Sequence, residues 1–117
     1  MSRKINNIIE ALSKHQDIDS IRVLDELGTN SEFDEVREQT SRALIRKNTH
    51  DALKVVIVNK GKGINDLSAS VAMTTINELL ALKDKCEALK VLEDTINLHS
   101  EKEVQDTARS VKALMTF

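Results

Sequence analysis

Cys86 is the only cysteine in the chain, and it stands at a predicted helix start. That setting can lower a thiol pKa toward the reactive thiolate. A nucleophilic cysteine also needs a base and an orienting group, and no histidine lies beside Cys86 in sequence. The bland reading is a small, partly buried thiol. His15, His50 and His99 fall near predicted helix ends without the close spacing of a metal motif, so capping or surface roles are expected of them. No acid, base and nucleophile set emerges. The sequence therefore reads as non-enzymatic, with no catalytic residue, metal ligand or cofactor expected.

Lys60-Gly61-Lys62-Gly63 offers two cations and permissive backbone N–H groups that could contact phosphate or a partner. It lacks the Gly-x-x-x-x-Gly-Lys-[Ser/Thr] spacing of a P-loop and the strand before it. A solvated connection is the competing reading.

These residues must be held by helices. The chain has 117 residues, about one domain in length. It has no Pro, three Gly, 40% hydrophobic and 31% charged residues, and its Ala, Leu, Lys and Glu favour an all-α fold. Only Phe33 and Phe117 are aromatic, so the core must be built from aliphatic side chains and base-stacking platforms are lacking. A net charge of −2 with interspersed signs argues against a molecule-wide phosphate-binding field. A lone cysteine points to a reducing compartment, with the cytoplasm as default. The stretch that opens with Arg3-Lys4-Ile5-Asn6-Asn7 is amphipathic, and no apolar run is long enough to span a bilayer, so neither secretion nor membrane insertion is expected.

Three segments share the order acidic, small, aliphatic, basic, aliphatic, aliphatic. They are Asp19-Ser20-Ile21-Arg22-Val23-Leu24, Asp51-Ala52-Leu53-Lys54-Val55-Val56 and Glu87-Ala88-Leu89-Lys90-Val91-Leu92, and their starts are 32 and 36 residues apart. A second helix is predicted after each, with small or apolar residues at offsets of four and seven: Val36, Thr40 and Ala43; Ser68, Ala72 and Thr75; Val104, Ala108 and Val111. One step back of 32 residues gives Lys4, Ile8, Ala11 and Leu12, a leading half-repeat. The pattern predicts seven helices near 3–14, 18–27, 33–47, 50–59, 66–82, 85–97 and 101–115. These are grouped as a half-repeat at 1–16 and repeats at 17–48, 49–83 and 84–117 in one domain. The four extra residues of the longer step are expected in the fifth helix, through Glu78-Leu79-Leu80-Ala81-Leu82.

Asp17, Thr49 and Asp84 are expected to cap the first helices, and Ser100 with Glu103 and Asp84 with Glu87 have capping-box spacing. Gly28, Gly61 and Gly63 fall in predicted connections.

Asp34-Glu35-Val36-Arg37-Glu38-Gln39-Thr40-Ser41-Arg42-Ala43-Leu44 resembles the second-helix pattern of HEAT repeats, an acidic residue followed by Val-Arg and then small and aliphatic positions. Glu103-Val104-Gln105-Asp106-Thr107-Ala108 carries the same pattern with Gln105 at the Arg position, and Asp66-Leu67-Ser68-Ala69 a fainter one. The resemblance implies a short right-handed α-solenoid of about seven antiparallel helices. In it, Arg37 would point between repeats and pair with Asp34 or Asp66. It also implies a binding role for the row of second helices. Arg37, Arg42, Arg46, Thr74, Glu78, Arg109 and Ser110 are the polar candidates there, with Lys60 and Lys62 as a possible anion or partner loop. The implied function is an adaptor, scaffold or regulatory subunit for another protein, with homo-oligomers possible through Ile5, Ile9, Met115 and Phe117. Nucleic-acid binding by Arg37, Arg42, Arg46, Lys60 and Lys62 is the alternative. Assistance in chromophore attachment, known among HEAT-like proteins, ranks last for want of reactive groups.

Overall fold

The buried small and aliphatic positions of the three-fold sequence pattern explain why the helices meet as they do. Ser20, Ala52 and Ala88 are buried, Leu24, Val56 and Leu92 are fully buried, and the basic residue between them, Arg22, Lys54 or Lys90, faces solvent each time. A small residue one turn before a large aliphatic one lets the helix approach its neighbour closely and then fill the gap.

The computed structural model describes residues 3–15 and 17–117; Met1, Ser2 and Gln16, which the predicted half-repeat includes, lie outside the described residues. The helices are α1 (Arg3–Ser13), α2 (Ile18–Asn30), α3 (Asp34–Lys47), α4 (His50–Val58), α5 (Ala69–Leu80), α6 (Cys86–Leu98) and α7 (Lys102–Thr116), with a 3-10 turn at Gly63–Asn65 before α5. The fold is all-α, with seven α-helices among the described residues. Two rows form. In one, α1 packs on α3, α3 on α5 and α5 on α7; in the other, α2 packs on α4 and α4 on α6, while α2 lies against α3 and α6 against α7. One aliphatic core runs between the rows, from Ile9 and Leu24 through Leu44, Leu53 and Ile57 to Leu79, Leu92 and Val111. The body measures 39 × 26 × 24 Å with a radius of gyration of 13.1 Å. That is the size of a compact chain of this length, about 13 Å, rather than an elongated one. Among the described residues no helix is long and apolar enough to cross a membrane.

Several expectations are corrected by packing. In α1 the buried face is Ile5, Ile9 and Leu12, whereas Ile8 is 44% exposed and Ala11 is open to solvent; anchoring the register on Lys4 rotated the stripe by about one position. Leu89 is only partly buried. Gly28 lies inside α2 rather than in a connection, and its missing side chain is what admits Thr40, whose Oγ1 would be 2.6 Å from a Cβ there. The extra residues of the longer step are not in α5, which has 12 residues against 14 in α3; they occupy the connections at 59–68 and 81–85.

The 59–66 connection is itself packed. Gly63 and Ile64 are buried, and Gly63 has φ of +59° with its Cα so close to Val56 that a Cβ would lie 2.1 Å from the Val56 carbonyl oxygen. Asn65 Nδ2 donates to Ile57 O at 3.0 Å, which ties the turn to the end of α4. Lys60 stays exposed and Gly61 and Lys62 partly so, while Ile64 is drawn into the core and Gly63 lets the backbone follow it.

Of the predicted caps, Thr49 accepts from the Ala52 amide at 3.4 Å, and Asp84 accepts from the Cys86 amide at 3.0 Å. Asp17 accepts instead from the Ser20 hydroxyl. Neither capping box forms: Glu87 turns to His50 and Glu103 to Lys60.

Candidate functional site

The second-helix row presents the candidate face. Asp34 and Glu35 open α3, and Arg46 and Lys47 close it, signs that match the helix dipole at both ends. A polar ladder then joins α3 to α5. Ser68 Oγ donates to Asp34 Oδ2 at 2.7 Å, Ser70 Oγ donates to a Glu38 carboxylate oxygen, and Arg42 Nε and Arg46 Nη2 lie 3.3 and 3.5 Å from one oxygen of Glu78. Arg42, Arg46 and Glu78 are thus brought together, and half-buried Thr74 stands one turn before Glu78 on α5. Arg109 is not part of this cluster. It is exposed on α7 and paired with Asp106 of its own helix at 2.9 Å, and Ser110 Oγ donates to the Asp106 carbonyl oxygen.

Arg37, Lys60 and Lys62 gather at the 59–66 connection. Arg37 donates to Asp66, not to Asp34, and Lys62 pairs with Asp25 on α2. Both pairs border a cleft of about 110 Å³ between α2, α3 and the connection, with Thr40 and Ser41 in its wall. Lys60 points toward α7, where Glu101 at 3.0 Å and Glu103 at 3.7 Å hold its pKa above the ordinary lysine value, the Glu101 hydrogen bond contributing most. Each cation named for phosphate binding therefore already faces a carboxylate.

Cys86 is exposed rather than partly buried, and the hydrogen bond and charge of Asp84 push its thiol pKa up. At this helix start the Asp84 carboxylate opposes thiolate formation, where a neighbouring cation would favour it. His50 Nδ1 lies 2.9 Å from Glu87, joining α4 to α6. His99 accepts the Glu101 amide at Nδ1 at 3.0 Å, and its Nε2 lies 3.0 Å from the Val58 carbonyl, so it closes the end of α4. His15 is exposed. Among the described residues no three His, Cys, Asp or Glu side chains are placed to hold a metal.

Two positions escaped the sequence reading. Lys47 is buried, and its Nζ donates to the carbonyls of Leu12, at 2.6 Å, and His15, closing the C-terminal end of α1 from α3. Its place eleven residues after Val36, on the buried stripe, was the available signal. Asn48 adopts φ of +51° at the end of α3 and donates from Nδ2 to Asp84 O at 3.0 Å, locking two connections together. An Asn directly after a helix and before a capping Thr is a readable turn signature.

No family model, curated protein or solved structure matches the chain.

Proposed function

We propose that the chain is a non-enzymatic protein-interaction module with HEAT-like helical hairpins in a short solenoid. In this reading it is an adaptor, scaffold or regulatory subunit that receives another protein on the face of α3, α5 and α7. The observation that carries the reading is the balance of charge on that face: Arg42 and Arg46 share Glu78, and Arg109 faces Asp106. A nucleic-acid groove works by releasing counterions to uncompensated cations. Paired, partly exposed side chains of both signs suit the polar contacts of a protein partner, where complementarity gives specificity. The alternation of helices between two rows supports the hairpin reading, since hairpins stacked in series cover one another's apolar faces. A cytoplasmic setting accords with the single free cysteine.

The test is affinity capture from the native source with the wild-type chain and with Arg42→Glu/Arg46→Glu, both checked for native helicity. The reading expects a protein partner that the charge-reversed variant loses. Salt-sensitive retention of wild type on DNA, abolished by the same variant, would replace it with the nucleic-acid reading.

A further inference from the structure

The contacts along the α3 and α5 seam satisfy its polar atoms without cancelling its charges. Near the start of α3, Asp34 and Glu38 are held by the Ser68 and Ser70 hydroxyls, which donate hydrogen bonds but carry no charge. Toward the end of α3, Arg42 and Arg46 share the single carboxylate of Glu78, so one positive charge is left over. The seam therefore runs from a negative end to a positive end, with ~12 Å of helix between Glu38 and Arg46.

Between the two ends stands Met73. It is 55% exposed on α5, in the stretch between Ser70 and Glu78. Half-buried Thr74 beside it adds no charge. A flexible thioether exposed among polar groups adapts readily to an opposing surface, and Met is enriched at protein interfaces.

A two-fold axis through Met73, perpendicular to the seam, turns this order of charges onto its own complement. The negative end of each copy then meets the positive end of the other, and the two Met73 side chains meet on the axis. An isologous contact uses the same patch on both subunits, so that patch must be complementary to itself. A nucleic acid or an anionic membrane would be repelled at the Asp34 and Glu38 end. A uniformly charged peptide of either sign would likewise be repelled at one end.

We propose that the α3 and α5 face pairs two copies of this chain across a two-fold axis near Met73, with Asp34 and Glu38 of each copy facing Arg42 and Arg46 of the other. This rests on the reading of the face as a protein-binding surface and names its occupant.

Sedimentation and light scattering at concentrations up to ~1 mM read the association. The samples are wild type, Arg42→Glu/Arg46→Glu, Asp34→Lys/Glu38→Lys and Met73→Asp, all at matched helicity. Wild type is expected to reach the mass of a dimer, and each variant alone to weaken the association about tenfold or more. An equimolar mixture of the two charge-reversed variants should recover a dimer, because both ends then face opposite charge again. A dimer indifferent to the charge reversals, or a mixture that stays monomeric, would overturn the proposal. A monomeric wild type that still captures a different protein through this face would overturn the second copy and leave the interaction module in place. Retention on DNA through Arg42 and Arg46 would remove both.

Discussion

Arg37 Nε and Nη2 both donate to Asp66 Oδ2, at 3.2 and 2.5 Å, across 29 residues of sequence. The other carboxylate oxygen accepts the Ser68 amide at 2.9 Å, and the Asp66 side chain is 1% exposed against 26% for Arg37. One ion pair thus fixes α3, the 59–66 connection and the approach to α5. Removing the cation by Arg37→Ala strands a buried carboxylate. Breaking a buried pair costs roughly 3–5 kcal/mol, and the partial exposure of Arg37 brings the expectation to about 2–3 kcal/mol. Urea denaturation reads this directly. Arg37→Lys should recover only part of the loss, because an ammonium cannot reproduce the planar two-donor geometry.

Gly61 and Gly63 both have positive φ, but they differ in their surroundings. A Cβ at Gly61 meets nothing within 4 Å, whereas at Gly63 it would collide with the Val56 backbone. Gly61→Ala is expected to cost about 1–2 kcal/mol from backbone conformation alone. Gly63→Ala should cost clearly more and shift the amide resonances of α4 near Val56. Equal losses for the two would contradict the packed turn.

Burial lowers the pKa of Lys47 below its ordinary value of 10.5, against a smaller opposing effect from Asp17. For a base depressed in the folded state, the unfolded chain binds more protons between the two values. The cost of burying the ammonium is present below the folded value and is relieved as pH rises toward 10.5. The stability of wild type relative to Lys47→Met should therefore rise with pH across the alkaline range. Hydrogen exchange should also show α1 opening more readily in Lys47→Met, because two carbonyls at its end lose their donor.

Glu93 on α6 is held below its ordinary value of 4.5, first by the hydrogen bond from Lys112 of α7 and then by its charge. The contribution of this pair is present above that ordinary value and disappears as pH falls through the lowered one. An NMR titration should place the Glu93 midpoint on the acid side of 4.5, and Lys112→Ala should move it back up. An unchanged midpoint would contradict the hydrogen bond between Lys112 and Glu93.

Much of the fold is legible in three short sequence segments, because a small residue followed one turn later by an aliphatic one leaves the same mark at Ser20 and Leu24, Ala52 and Val56, and Ala88 and Leu92. The misreadings occur where tertiary contacts override local pattern. Gly28 carries a turn signal, yet it sits inside α2 because Thr40 needs the space. Lys4 falls at the repeat interval, yet α1 turns Ile5 and Ile9 inward because an end helix has a neighbour on one side of its row only. Of the candidate residues, Arg42, Arg46 and Glu78 are close because equivalent positions on adjacent second helices lie about one repeat apart. Their mutual neutralisation was hidden in sequence, since it depends on which side chains face each other across the α3 and α5 seam.

Site-specific photo-crosslinking from Thr74, at the centre of the α3 and α5 face, tests the interaction-module account most directly. With the full chain in its native extract, the account predicts a crosslinked polypeptide that disappears in Arg42→Glu/Arg46→Glu. A crosslink to nucleic acid, or a polypeptide crosslink indifferent to the charge reversal, would contradict it.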